Sequence, residues 1–156
     1  SSLLGQLGIK GNISSISEIY VYGMETRKTY SIAQFILDED SANDLIVLDG
    51  EAIDMGEIND ISDFARLSNL EKLCLCGNNI ETLEPILNLN KLTLLDVSHN
   101  SGIDLSGISA LQNLEILNIA CTDYFDLSSL KELKKLKTVY VSSDMLESVS
   151  LINPSF

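Results

Sequence analysis

The residues best suited to chemistry in this chain are its three cysteines and its single histidine. Alternation along a strand would place Cys74 and Cys76 on one side, and His99 and Cys121 follow in later segments. Thiolate and imidazole groups together suit zinc or another soft ion. The C-x-C spacing, however, lacks the tight turn of C-x-x-C zinc sites, and cysteine often serves as a small apolar residue. We therefore predict no metal site, with metal binding by these four residues as the alternative.

Catalysis is not indicated by any motif. His99 is the only histidine and follows no sequence that would orient it as an acid or base. The chain contains no glycine-rich phosphate loop and no H-E-x-x-H zinc motif. An acidic segment from residue 38 has Asn43 and Asp49 where a calcium loop needs glycine and glutamate. We predict no enzyme activity, no catalytic residues and no cofactor.

A repeat of 22 residues is the strongest pattern in the sequence, and its first copy opens at Leu48. The clearest copy reads Leu70-Glu-Lys-Leu73-Cys-Leu75-Cys-Gly-Asn78-Asn-Ile80, which fits L-x-x-L-x-L-x-x-N-x-L. Further copies open at Leu92, Leu114 and Leu136, each 22 residues after the last. Such a period predicts a stack of similar coils, each with one short strand.

The repeat resembles the 22-residue leucine-rich repeats of bacterial, internalin-like surface proteins. The same length occurs in an intracellular class that resembles phosphatase regulatory subunits. The return phrase Asp104-Leu-Ser-Gly-Ile108 favours the bacterial type, and the resemblance covers roughly residues 45–152. It implies a curved solenoid, recognition of proteins and no catalytic residues.

The fold class that we predict is α/β, a leucine-rich repeat solenoid with a parallel β-sheet on its concave face and short helical turns on its convex face. Residues 1–47 would form a capping unit with a strand near residues 16–21 and a helix from Ser31. Residues 48–156 would hold about five repeats in one continuous domain. Asn78 and Asn100 should bond backbone groups of the turn, and the aspartates that precede the convex turns should cap them.

Side chains that point out of the concave sheet form the candidate recognition face. Tyr20 and Tyr22 begin the row in the capping unit, Ala52 and Asp54 follow, and the repeats continue it. The predicted contact residues are Tyr20, Tyr22, Lys72, Leu94, Asp96, Ile116, Asn118 and Tyr140. Leu94 and Ile116 are apolar where water contact is expected, as at protein interfaces. Partial cover by their neighbours is the simpler explanation for those two.

The charge of the chain narrows the classes of partner that it could bind. The chain has 23 acidic and 10 basic residues, a net charge of −13, which disfavours nucleic acid and anionic membranes. The acidic residues are concentrated in the middle of the sequence. Near its end lie four lysines, Lys131, Lys134, Lys135 and Lys137. No apolar run approaches the roughly 18 residues of a membrane span, so we expect no membrane insertion.

We therefore predict a non-enzymatic module that recognises another protein through the concave face. One alternative is a structural spacer or display domain of a larger bacterial surface protein. The other is a regulatory domain attached to an intracellular kinase or phosphatase. The bacterial surface or a secreted location is favoured over the cytoplasm, and the sequence leaves the partner and the oligomeric state open.

Overall fold

The structure is a computed structural model that describes residues 3–6, 13, 16–21, 45–48, 58–123 and 126–143. One α-helical turn, α1, spans Leu3–Gln6. Six strands follow in the described residues, and all of their pairings are parallel. The strands are β1 (Glu18–Val21), β2 (Leu45–Leu48), β3 (Lys72–Cys74), β4 (Leu94–Asp96), β5 (Ile116–Asn118) and β6 (Thr138–Tyr140).

The strands do not follow one another in chain order, because the sheet runs β2-β1-β3-β4-β5-β6. The N–H groups of Glu71 and Lys72 both donate to the carbonyl of Ser17, at 2.7 and 3.0 Å, which fixes β1 directly beside β3. The sequence predicts that the coil from Leu48 lies next to β3 in the stack. The expected order of the strands is therefore wrong at this position. Ala52, Asp54 and the helix expected from Ser31 lie outside the described residues. The boundary between residues 47 and 48 stays a prediction.

The core runs lengthwise through the stack, as the leucine columns predict. Leu73, Leu95 and Leu117 are paired in register across β3, β4 and β5, and all three are fully buried. The second strand column is equally buried and consists of Leu75, Val97 and Ile119. Because strand side chains alternate, both columns point into the coil, where each side chain contributes about 1.5–3 kcal/mol by leaving water. Leu4 of α1 and Ile19 of β1 are also buried in this core, in the first part of the stack.

The convex side is built from short 3₁₀ turns, which confirms the expected helical turns. They span Ser62–Arg66, Glu84–Ile86, Ile108–Ala110 and Ser128–Glu132. One apolar side chain of each turn enters the core, and these are Phe64, Ile86, Ile108 and Leu130. A 3₁₀ turn suits the convex side because it rises further per residue than an α-helix, so few residues are needed to cross that side of the coil.

The aspartates before these turns act differently from the caps that we predict. The N–H groups of Ser62, Ser106 and Ser128 donate to the carboxylates two residues earlier, at 2.9, 2.9 and 3.1 Å. The acceptors are Asp60, Asp104 and Asp126. None of these is the N-cap, because the turns begin at least two residues later and their N-caps make no side-chain bond. The carboxylates instead close tight side-chain turns that lead the chain from the sheet toward the convex side.

Asn78 and Asn100 tie successive coils together, which confirms their predicted bonds to turn backbone. The Asn100 amide donates to the carbonyls of Val97 in its own coil and Leu75 in the preceding one, both at 2.9 Å. Its oxygen accepts the N–H of Ile80 at 2.9 Å. Asn78 repeats the pattern toward Ile58, at 3.2 Å. Each asparagine therefore satisfies buried backbone groups that have no strand partner.

Replacing Asn100 by alanine should lower the free energy of unfolding by about 3 kcal/mol, because it leaves several buried backbone groups unpaired. Thr122 occupies the same position one coil on, and within the part of the chain that the structure describes its hydroxyl donates only to the Ile119 carbonyl, at 2.9 Å. Thr122→Ala should therefore cost only about 1 kcal/mol. Urea unfolding of both variants checks this, and equal losses would contradict the bridging role of Asn100.

Acid should weaken the stack partly through the three aspartates that precede the convex turns. Hydrogen bonds from the hydroxyl and N–H of Ser62 hold the pKa of Asp60 below its usual 3.8. Ser106 lowers the pKa of Asp104 chiefly through its N–H, and Ser128 lowers that of Asp126 chiefly through its hydroxyl. A lowered pKa stabilises the fold above pH 3.8, and that contribution is lost as the pH falls through the lowered value.

The triple variant Asp60→Asn, Asp104→Asn, Asp126→Asn keeps three acceptor oxygens but removes their ionisation. Its free energy of unfolding should therefore fall less steeply than that of the native chain between about pH 4 and about pH 2. Chemical unfolding at a series of pH values measures both slopes. Parallel slopes would mean that other carboxylates govern the acid sensitivity.

Candidate recognition surface

The sheet brings most of the predicted contact residues into two rows on its concave side. Strand pairing aligns Glu18, Lys72, Leu94, Ile116 and Thr138 in the first row. The second row aligns Tyr20, Cys74, Asp96, Asn118 and Tyr140. Only the backbone of Tyr20 is described, and Tyr22 lies outside the described residues. The parallel register thus places six of the eight predicted side chains on one surface.

The middle of this surface is buried, contrary to the expected water contact. Leu94 is only 2% exposed, and Asp96 and Asn118 are buried as well. The polar side chains bond their own strand ends, since Asp96 accepts the hydroxyl and the N–H of Ser98 at 2.6 and 3.0 Å. Asn118 likewise accepts the N–H of Ala120 at 3.2 Å. These groups need no water, and the predicted exposure of Leu94 is wrong.

Lys72 is already engaged with a charged neighbour. Its ammonium group lies 2.5 Å from Glu18 Oε1, and the two side chains are 27% and 12% exposed. Glu18 Oε2 is the one buried side-chain oxygen or nitrogen among the described residues without a hydrogen-bond partner. The pair joins β1 to β3 across the first row, so the lysine helps to hold the non-sequential strand in place.

The open part of the surface lies toward the C-terminal coils. Ile116, Ala120 and Thr138 are partly exposed. Tyr140 is 43% exposed, and it is the one large apolar side chain with high exposure in the described part of the chain. We call Ile116, Ala120, Thr138 and Tyr140 the C-terminal concave patch. Apolar and aromatic atoms there are available for contact, as in the core of a protein interface.

The cysteines and the histidine do not form a cluster in the described residues. Cys74 and Cys76 are buried, and Cys76 Sγ lies 3.2 Å from the hydroxyl oxygen of Ser98. Cys121 follows β5 and is exposed. Over the described ranges, no three His, Cys, Asp or Glu side chains are arranged to hold a metal ion. Cys74 and Cys76 are packed as small apolar residues.

A column of left-handed backbone follows the strands, and the sequence pattern alone did not reveal it. Gly77, His99 and Cys121 occupy the same position in successive coils, with φ of 70°, 55° and 57°. The N–H groups of Gly77 and His99 bond the next coil at the carbonyls of Ser98 and Ala120, both at 2.9 Å. Gly77 was the available signal, because glycine accepts this conformation without steric cost. The other two residues hold it under strain.

These features define a leucine-rich repeat solenoid. Solved structures with the same architecture include an internalin, inlF, from Listeria monocytogenes, with a TM-score of 0.54 and 27% identity. That match covers 62% of this chain and 30% of that protein. Internalin C2 (inlC2) from the same species has a TM-score of 0.52 and 26% identity, and the match covers 62% of this chain and 44% of that one.

A leucine-rich repeat protein from Leptospira interrogans shares the fold at a TM-score of 0.51 and 24% identity, over 63% of this chain and 27% of that protein. The chain therefore spans less than half the length of each of these three proteins. Neither the protein-family models nor the curated proteins gave a match to the sequence. Within the described part of the chain, no helix is long and apolar enough to cross a membrane. The likeness to these solved structures supports the leucine-rich repeat class.

Replacing Cys121 by glycine should stabilise the fold by about 0.5 kcal/mol, because it relieves a positive φ of 57° at an exposed side chain. The N–H of residue 121 would keep its bond to the Ser142 hydroxyl, at 2.6 Å. Cys121→Ala retains the strained conformation and serves as the control for loss of the thiol. Thermal unfolding under reducing conditions checks the order, and a less stable glycine variant would show that the strain is small.

Proposed function

We propose that this chain is a non-enzymatic recognition module that binds another protein through the C-terminal concave patch. The observation that carries the proposal is the exposure of Tyr140, at 43%, on a surface where Leu94 is buried and Ile116 is only partly exposed. Tyrosine is enriched among the residues that dominate binding energy at protein interfaces. Ile116 and Thr138 lie beside one another across β5 and β6, one row from Tyr140.

The buried residues of the two rows have a supporting role in this proposal. Asp96 and Asn118 lie in register with Tyr140, and their bonds to Ser98 and Ala120 make the strands rigid beneath the patch. A rigid platform lowers the entropy lost on binding. Contact of a partner with Leu94, Asp96 or Asn118 stays a prediction and would require these side chains to become accessible. Contact with Lys72 would compete with its ion pair to Glu18.

The likeness to internalin structures supports the bacterial type of 22-residue repeat and a location at the bacterial surface or outside the cell. The intracellular, phosphatase-subunit-like type remains the alternative to that assignment. The net charge of −13 argues against nucleic acid as the partner. A shallow sheet surface also suits a protein better than a small molecule, which needs a deep pocket.

Tyr140→Ala should weaken binding of the partner by at least about 2 kcal/mol, roughly thirtyfold, because it removes the exposed aromatic anchor. The partner would first be captured from lysate and culture supernatant with the native chain as bait. Affinities of the purified partner for the native chain and the variant are then measured by calorimetry.

Glu81→Ala is the matched control, since it is an exposed truncation after β3 that lies off the patch. The proposal requires that this variant binds like the native chain. A partner that tolerates Tyr140→Ala would place recognition elsewhere on the molecule. Failure to capture any partner from either source would favour a spacer or display domain.

A further inference from the structure

A basic patch lies on the flank of the last described coil, away from the concave rows. It consists of Lys131, Lys134, Lys135 and Lys137, all exposed, between the 3₁₀ turn at Ser128–Glu132 and β6. With Glu132, residues 131–137 carry a net charge of +3, in a chain whose total is −13. The remaining residues therefore carry −16, so the patch is the one place in residues 58–123 and 126–143 where positive charge gathers.

Each of the last three lysines is anchored by one bond to the protein. Lys135 Nζ donates to Asn113 Oδ1 at 2.5 Å, and Lys134 Nζ donates to the Lys131 carbonyl at 2.8 Å. Lys137 Nζ lies 2.7 Å from Glu115 Oε2, with its side chain 68% exposed. An ammonium group has three donors. Each of these three ammonium groups therefore uses one N–H donor within the protein and has two left for solvent or a ligand.

We propose that this lysine patch binds a short acidic peptide segment of a partner protein. Carboxylates would pair with the free donors of Lys134, Lys135 and Lys137, and such charge-assisted bonds are the stronger kind. An extended segment of about six residues, roughly 20 Å long, would span the patch. A longer polyanion, such as nucleic acid or an anionic polysaccharide, would meet the surrounding negative charge, beginning with Glu132 and Glu115.

The test uses fluorescein-labelled hexaglutamate as the probe and fluorescence anisotropy as the readout. At about 20 mM salt, where charges act over roughly 20 Å, the native chain should bind the probe. Lys135→Glu should weaken hexaglutamate binding by about tenfold, because it replaces an attraction with a repulsion.

Lys91→Glu is the matched control. Lys91 Nζ donates to Asn69 Oδ1 at 2.6 Å, as Lys135 does to Asn113 two coils further along the stack, but no other lysine lies beside it in the sequence. This variant has the same net charge as Lys135→Glu and should weaken binding by less than about twofold. Thermal unfolding verifies that both variants remain folded.

Three outcomes would overturn the proposal. Native chain that does not bind hexaglutamate at low salt has no such site. Equal weakening by the two variants would mean that net charge alone governs binding. Tighter binding of labelled heparin or single-stranded DNA than of hexaglutamate would assign the patch to an extended polyanion. None of these outcomes bears on Tyr140, because the probe lacks an apolar anchor.

Discussion

The structure depends on one constraint: each coil must return to the same place after 22 residues, because the backbone groups of its strand pair with those of the neighbouring coils. Leu75 N donates to Asp96 O at 2.8 Å, and Val97 N donates to Asn118 O at 3.0 Å one coil later. The amide of Asn100 adds bonds where the strand has ended and the ladder can no longer continue. Side-chain columns, convex turns and the concave rows all follow from this fixed repeat.

The same constraint explains what could be read from the sequence. Leu73, Leu95 and Leu117 recur because each coil must bury the same position, so the columns and the parallel register were predictable. The placement of β1 beside β3 was not predictable, because residues 1–47 lie outside the 22-residue repeat and their place in the stack cannot be read from its register. Here the ion pair of Lys72 with Glu18 and the bonds to Ser17 decide the order instead.

The sequence predicted which side of the sheet the candidate side chains point to, but it did not predict how exposed they are. Alternation along β4 correctly places Leu94 and Asp96 on the concave side. It does not tell whether that side meets water, and both residues are buried. The column of left-handed backbone could not be predicted either, because histidine and cysteine, unlike the glycine at position 77, do not indicate a positive φ at positions 99 and 121. What remains accessible is a smaller surface around Tyr140, with the lysine patch on a separate flank.

The step from Asn100 to Thr122 has a consequence for how the stack comes apart. Asn78 and Asn100 each join two coils, whereas among the described residues the Thr122 side chain bonds only within its own coil. In a stack whose stability is a sum of coil and neighbour terms, cooperativity is weakest where a neighbour term is lost. Under mechanical load, the coils that carry Tyr140 and the lysines should therefore peel away first, while those around Asn78 and Asn100 stay intact. The part of the chain that holds both proposed contact surfaces is thus also the part that should unfold most easily.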